Sequence, residues 1–389
     1  MSTETKAQPL RMEFKKSTGQ GSPIAIGIFS SYSFERSVLT PASAFRFTAP
    51  GVDRLIRNQI RSGDTVTISL LNPKGKLVPI MTGFVDETDT HIIPGTVEYV
   101  ISGRDTLGQL VDNTAVDAQN NIINSQNITL SNLLQIILKG TRVPQTFISQ
   151  QVPSSNLIVQ SNAGETKINL LQRYLDICNC LVWTLPNGQV VLGKPNFTSN
   201  SAGKLTLSYT SPENNNLLEA RVRRSTNLGI RQIVAQLQTF DQVNPAPFTL
   251  LNGDDDMRAV RPGLVGRSVY LPFNYAQGGD AVNQATQIGN QSLDPVNYGK
   301  SLALREMARE NMKVLSVECV VKGHVNENGI PYDVDQMYEV FVEDDDVQES
   351  MYVYSLSYEL TLEHGMLTRL HLCKKNTIVS GGDALPRKS

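Results

Sequence analysis

The sequence predicts an α+β fold that is mainly β, with two small antiparallel β-barrel-like domains flanking an α+β middle domain. Three observations carry this. Short runs with period-two alternation and β-branched residues fill most of 23–104, two helical patterns mark 105–203, and strands return over 204–380. A chain of 389 residues is long enough for two to three domains at roughly 150 residues each. The expected division is an N-terminal extension 1–22, a first β-barrel-like domain 23–104 and the middle domain 105–203. A region 204–380 then holds strands, a long loop insertion, one helix and the second β-barrel-like domain, before a flexible tail 381–389.

In the first β region, Asn72-Pro73-Lys74-Gly75 predicts a tight turn between the runs Asp64–Leu71 and Lys76–Asp86. The stretch Gly51–Arg61 predicts a helical turn, with Val52, Leu55, Ile56 and Ile60 on one face. In the middle region, Thr129 or Ser131 is placed to cap a helix through Leu133, Leu134, Ile137 and Leu138 that ends at Gly140. A second helix is expected from Glu165 to about Cys178, burying Ile168, Leu170, Leu171, Tyr174, Leu175 and Cys178. A strand around Leu157 lies between them. Pro186-Asn187-Gly188 between two apolar runs then predicts a hairpin.

After Lys204 the strands resume, but Pro245, Pro247, Pro262, Pro272 and Pro295 mark 241–297 as a long loop or extended insertion. A helix is expected from about Val296 to Met312, followed by the closing strands. Those strands resemble the first β region. The run at Asp64 matches the run at Gln336, 272 residues on, and the text around Gly83 matches that around Ser355 at the same offset. Gly95 and Gly365 precede the last strands at an offset of 270. The expectation is a duplicated β unit.

Lys plus Arg is 35 against Asp plus Glu 37, and only 19% of residues are charged, so the chain has no global pull toward nucleic acid or an anionic membrane. Asn, Gln, Ser and Thr take the place of the missing charges, as on a surface meant to be packed against other proteins. The first residues show no apolar core of a secretory signal, and no apolar run approaches the 18 or so residues of a span. No secretion and no membrane insertion are therefore expected. Four cysteines suit a reducing compartment.

Walker, Rossmann, HExxH, GxSxG and EF-hand signatures are absent, so no catalytic, cofactor-binding or metal-binding residues are predicted. His91, His324, His364, His371 and the Cys178-Asn179-Cys180 pair are expected to pack rather than to ligate. The acidic runs Asp254-Asp255-Asp256 and Glu343-Asp344-Asp345-Asp346 are expected to be solvated loops, with cation binding as the alternative. Arg221, Arg223 and Arg224 alternate along a strand, as an ion-paired face or as a patch for phosphate or an acidic partner.

Two strings are more specific. Ile101–Ala115 reads ISGRDTLGQLVDNTA, carrying Gly103, Arg104, Asp105, Leu110, Val111 and Asp112 after the run Thr82–Asp86. Ala163-Gly164-Glu165-Thr166 then opens the middle-domain helix, ahead of the hairpin text Pro186–Leu192. In order and spacing these strings resemble baseplate hub proteins of contractile-tailed, Mu-like bacteriophages, over about residues 22–380. One departure is Ile330-Pro331-Tyr332, where the family often has tryptophan. The resemblance implies a non-enzymatic structural subunit without cofactors: a homotrimeric ring joining the six-fold tail tube protein to the three-fold central spike protein. It also implies contacts with baseplate wedge proteins and a channel that DNA crosses only transiently. The location implied is the virion's tail baseplate, after assembly in the host cytoplasm. A tail-associated peptidoglycan hydrolase and a host-glycan-binding tail module are the alternative readings.

Overall fold

The computed structural model of the chain describes residues 10–19, 21–72, 75–117, 119–154, 157–225, 232–238, 248–251, 269–274, 305–309 and 311–378. The first β region contains β1 (Leu10–Lys15), β2 (Ile24–Ile26), β3 (Ser31–Ser37), β4 (Ala44–Pro50), a short α1 (Arg54–Arg57), β5 (Thr65–Leu71), β6 (Leu77–Ile93) and β7 (Thr96–Asp105). The strand β1 lies inside the stretch expected to be an N-terminal extension. Its alternation puts Leu10, Met12 and Phe14 into the core, and it pairs antiparallel with β5 along its whole length. In α1, Asp53 caps the first turn, and Val52 and Ile56 pack on the core while Leu55 points to solvent.

The middle region contains α2 (Gly108–Asp112), β8 (Asn124–Ile128), α3 (Leu130–Leu138), β9 (Phe147–Gln150), β10 (Leu157–Gln160), α4 (Lys167–Cys178), β11 (Leu181–Thr184) and β12 (Val190–Gly193). Thr129 caps α3 and Thr166 caps α4, each hydroxyl accepting the backbone N–H three residues on. The α3 and α4 apolar faces close a core of their own with β8 and β10. The β11–β12 hairpin is buried on both faces. Cys180, Val182, Val190 and Leu192 belong to that core, whereas Leu181, Trp183 and Val191 belong to the large core of the β regions.

The remaining strands are β13 (Ser201–Leu207), β14 (Leu217–Arg224), β15 (Gln232–Gln238), β16 (Phe248–Leu251), β17 (Val269–Asn274), β18 (Leu315–Lys322), β19 (Gln336–Val342), β20 (Val347–Thr361) and β21 (Gly365–Lys374). The short strands β16 and β17 pair with β15 and fall within the expected loop 241–297, whose other residues lie outside those described. Residues 305–309 and 311–314 are helical, in agreement with the second half of the helix expected from Val296, and Arg305 anchors this segment by an ion pair to Asp176 on α4. The 381–389 tail and the run Asp254–Asp256 also lie outside the described residues.

The fold is mainly β, with large antiparallel sheets. The first and last strand groups, expected as two separate domains, join in one 13-stranded sheet, because β3 pairs with β20 from Ser37↔Ser355 to Leu360↔Tyr32. Their side chains share a single core, in which Phe34 stacks on Tyr358 at 4.5 Å.

The two groups correspond strand for strand. Neighbour order is β3-β4-β7-β6-β5 in one and β14-β18-β21-β20-β19 in the other, every contact antiparallel. Details of backbone match as well. Gly51 and Gly323 both have positive φ just past β4 and β18, and their N–H groups donate to Val97 O and Met366 O at the same point of the neighbouring hairpin. Gly63 and Asp335, also at positive φ, donate to Val85 O and Val353 O. A register shift interrupts β6 between Val85 and Glu87, and β20 between Val353 and Ser355. The Asp64–Gln336 correspondence thus stands at 272. The Gly83–Ser355 match at that offset does not, because the first hairpin is longer around its turn and Ser355 corresponds to Glu87.

Candidate functional site

The glycine-arginine-aspartate string sits where the first β region meets the middle region. At Gly103 a side chain has no room, since a Cβ would fall 2.1 Å from Phe84 O and 2.5 Å from the Phe45 ring. The next residue, Arg104, is held by two carboxylates: Asp86 on β6 (Nε to Oδ2, 2.6 Å; Nη2 to Oδ1, 3.2 Å) and Asp112 on α2 (Nη1 to Oδ1, 3.1 Å; Nη2 to Oδ2, 2.5 Å). These bidentate contacts hold Asp112 well below the usual carboxylate range. Leu110, two residues earlier in α2, is fully buried in the middle core, and Val111 packs against that core from its edge.

Asp105 is buried. Its carboxylate accepts from Ser43 N (3.1 Å), Leu107 N (2.9 Å) and Thr184 Oγ1 (2.9 Å), yet burial still raises its pKa. Thr106 donates to Gly188 O and Thr82 to Pro186 O, both at 2.9 Å, so the turn of the β11–β12 hairpin is stitched to β6 and to the end of β7. Arg142 lies 4.6 Å over the Phe84 ring and donates to Gly63 O. Asp105, Arg142, Phe84 and Gly63 line an open polar cavity of about 370 Å³ together with Asp86, Arg104, Gln109 and Asp112.

The second string adjoins the first. Asn113 O accepts Lys167 N (2.8 Å) and Glu165 O accepts Ala115 N (2.7 Å), so the segment after Asp112 runs along the start of α4. Gly164 has φ of 76°, and Glu165 binds Arg173 through both carboxylate oxygens while accepting Asn162 N. The motif residues are therefore brought together as fasteners. Arg104, Asp105 and Asp112 line that cavity with their charged groups held in hydrogen bonds to neighbouring side chains and backbone.

Arg36 is a further fastener that sequence reasoning missed. The alternation Tyr32, Phe34, Arg36 on β3 carries the signal, because it aims a guanidinium into the core. Arg36 is 3% exposed and donates to Ile80 O (3.2 Å), Thr184 O (2.6 Å) and the carboxylate of Asp333. It thereby ties the first β region to the middle hairpin and to the last strand group. His324 spans the same seam. Thr368 Oγ1 donates to Gly323 O (2.6 Å), so it accepts from His324 Nδ1 (2.9 Å), and Nε2 accepts from Tyr32 OH (2.6 Å). Burial lowers this imidazole to about 4, so it is neutral. Tyr332, in the Ile330-Pro331-Tyr332 loop, is buried and its carbonyl accepts the hydroxyl of Tyr358.

The other sequence-predicted candidates fall into place simply. All four cysteines are buried, and burial pushes the thiols of Cys178 and Cys180 up to about 12. Glu343 caps the 208–210 turn, accepting from Ser208, Tyr209 N and Thr210, which lowers it to about 2. Arg224 pairs with Asp345 at 3.3 Å, whereas Arg221 and Arg223 are exposed and carry no ion pair among the described residues. No metal-holding cluster occurs among the described residues, and no described helix is long and apolar enough to cross a membrane.

Two surface features remain. The hairpin β6–β7 outruns its neighbour, because β5 pairs with β6 only as far as Phe84, leaving the outer edge from Glu87 to Ile93 unpaired among the described residues. The edge strand β14, opposite, pairs only with β18 among the described residues. Strand directions also place the tips of β6–β7 and β20–β21 at the same end of the sheet, away from the middle region. Ile92 (69% exposed), Leu55 (72%) and Leu362 (92%) make that end apolar.

No protein-family model and no curated protein sequence matches the chain. Solved structures do. A tail protein from Neisseria meningitidis MC58 superposes with a TM-score of 0.71 at 16% identity, covering 95% of this chain and 98% of that one. The 43 kDa tail protein of prophage MuSo2 from Shewanella oneidensis gives 0.68 at 18% identity, covering 95% and 99%. A type VI secretion component of E. coli, itself similar to T4 bacteriophage tail proteins, gives 0.55 at 8% identity, covering 97% and 80%. The chain thus has the fold of phage tail proteins over nearly its whole length, in keeping with the hub resemblance of its motif strings.

Proposed function

We propose that this chain is a structural hub subunit of a contractile phage tail baseplate, in which three copies form a ring between the six-fold tail tube and the three-fold central spike. One observation carries the reading: the duplicated strand group. Each copy offers two corresponding strand groups, so three copies offer six, matching a six-fold tube on one side and a three-fold spike on the other. The paired apolar hairpin tips at one end of the sheet, two per copy, suit the tube face. The middle region at the opposite end suits the spike.

The ring leaves a channel for DNA, and a near-neutral chain limits the phosphate contacts that would slow transit. Baseplate wedge proteins pack on the outside, and assembly takes place in the host cytoplasm. The fastened motif residues serve rigidity, and no residue has a catalytic role in this reading. The peptidoglycan-hydrolase and glycan-binding alternatives have no side-chain constellation in their favour among the described residues.

Light scattering on the purified protein at assembly concentrations, combined with antibody labelling of tails in the electron microscope, tests the proposal. A trimer, with label at the tube tip, is expected. A monomer at all concentrations together with label elsewhere on the tail would overturn it, as would clearing of a cell-wall gel by the purified protein.

A further inference from the structure

The strand correspondence says how one copy meets the next. Within the chain, β3 fills the outer edge of β20 beyond the point where β19 stops pairing. The counterpart of β20 is β6, whose outer edge is unpaired among the described residues beyond the point where β5 stops; the counterpart of β3 is β14, whose outer edge is also unpaired among the described residues. Resting on the hub reading, we propose that β14 of one copy adds to the edge of β6 of the next copy, repeating between copies the β3–β20 seam inside each. Such a head-to-tail contact uses a different edge on each partner, so it propagates around a ring and closes on itself.

The register follows from the seam already present. The β3–β4 and β14–β18 pairings make Ser33, Phe34, Glu35 and Arg36 the counterparts of Arg221, Val222, Arg223 and Arg224. The shared register shift makes Ser355, Ser357 and Glu359 the counterparts of Glu87, Asp89 and His91. Since Ser357 faces Glu35 in the internal seam, Asp89 of one copy faces Arg223 of the next, with Glu87 and Arg221 as diagonal neighbours on the same face.

Charge supports this pairing independently of topology. The free edge of β6 carries Glu87 and Asp89, the free edge of β14 carries Arg221 and Arg223, and none of the four is ion-paired among the described residues. On the other face, Leu360 opposite Tyr32 becomes Ile92 opposite Ala220, which covers a side chain now 69% exposed. An acidic strand edge and a basic strand edge on one chain attract each other between copies and repel like edges, which fixes the head-to-tail sense.

The test is a variant carrying both Asp89→Cys and Arg223→Cys in the full-length protein, where the native cysteines are buried. Mild oxidation is expected to give a covalent ladder ending at three copies on a non-reducing gel, with neither single variant giving more than a dimer. In parallel, Arg223→Glu and Asp89→Arg are each expected to abolish the trimer seen by light scattering, and the two together to restore it. All four substitutions are at exposed positions, so unchanged thermal unfolding identifies a folded protein. A wild-type trimer that neither cross-links through 89 and 223 nor responds to charge reversal would overturn this interface while leaving the hub reading standing. A wild type that stays monomeric would overturn the interface as well; labelling at the tube tip then decides the hub reading separately.

Discussion

Arg36 and Arg224 hold the same position in the two strand groups and live in different surroundings. Arg36 is buried, bound to Asp333, to the β11–β12 hairpin and to Ile80 O. Arg224 is half-exposed and reaches only the Asp345 turn. The same contrast recurs elsewhere. Arg104, clamped by Asp86 and Asp112, corresponds to Cys373, and Gly103, where a Cβ would collide, corresponds to Leu372 packed in the core. Duplicated topology therefore does not mean duplicated chemistry. The first group carries the fasteners because the middle region is attached to it, and the glycine-arginine-aspartate string marks that attachment.

This contrast can be broken at graded depth. Arg36→Ala strands the Asp333 carboxylate in the core and is expected to cost about 3–5 kcal/mol in chemical denaturation. A cost below about 1 kcal/mol would mean that the two arginines are equivalent after all.

Acid should act on the second group through His324, which corresponds to Val52 in the first. With a folded pKa of about 4 against an ordinary value of 6.5, His324 binds its proton more readily when unfolded. Its contribution is present above pH 6.5 and is lost as pH falls toward 4, by about 3 kcal/mol in all. Asp333 and Asp335, raised by burial, act in the opposite sense. The difference between wild type and His324→Gln therefore isolates the effect, and identical pH slopes for the two would remove it.

Gly103→Ala is expected to cost roughly 3 kcal/mol, since neither Phe84 O nor the Phe45 ring can give way without moving a strand. Unchanged stability would show that the collision relaxes. The smallest effect belongs to Arg224→Ala, under about 1 kcal/mol in the isolated protein, as for other half-exposed pairs.

Much of this was legible in the sequence, and the reason is local. Alternation located most of the long strands, Thr129 and Gly188 announced the first helix and the hairpin through capping and turn chemistry, and apolar periodicity announced the second helix. The β5–β19 correspondence at 272 residues was also readable. What escaped depends on partners far along the chain. Pairing of β3 with β20 joins residues more than 300 positions apart and turns two expected domains into one sheet. The strand β1 was hidden in a short, partly charged segment whose burial comes from pairing with β2 and β5. The motif strings were recognisable as a pattern, but their role needed the positions of Asp86, Asp112 and Thr184, which no spacing rule supplies.

The central claim is that the two strand groups are quasi-equivalent parts of one ring. Electron cryo-microscopy of the assembled tail, viewed down its axis, tests it most directly. The account predicts three copies at the junction of tube and spike, with six similar sheet segments around the channel and β14 of each copy running beside β6 of the next. A different copy number at that level, or strand groups lying at different radii, would contradict it.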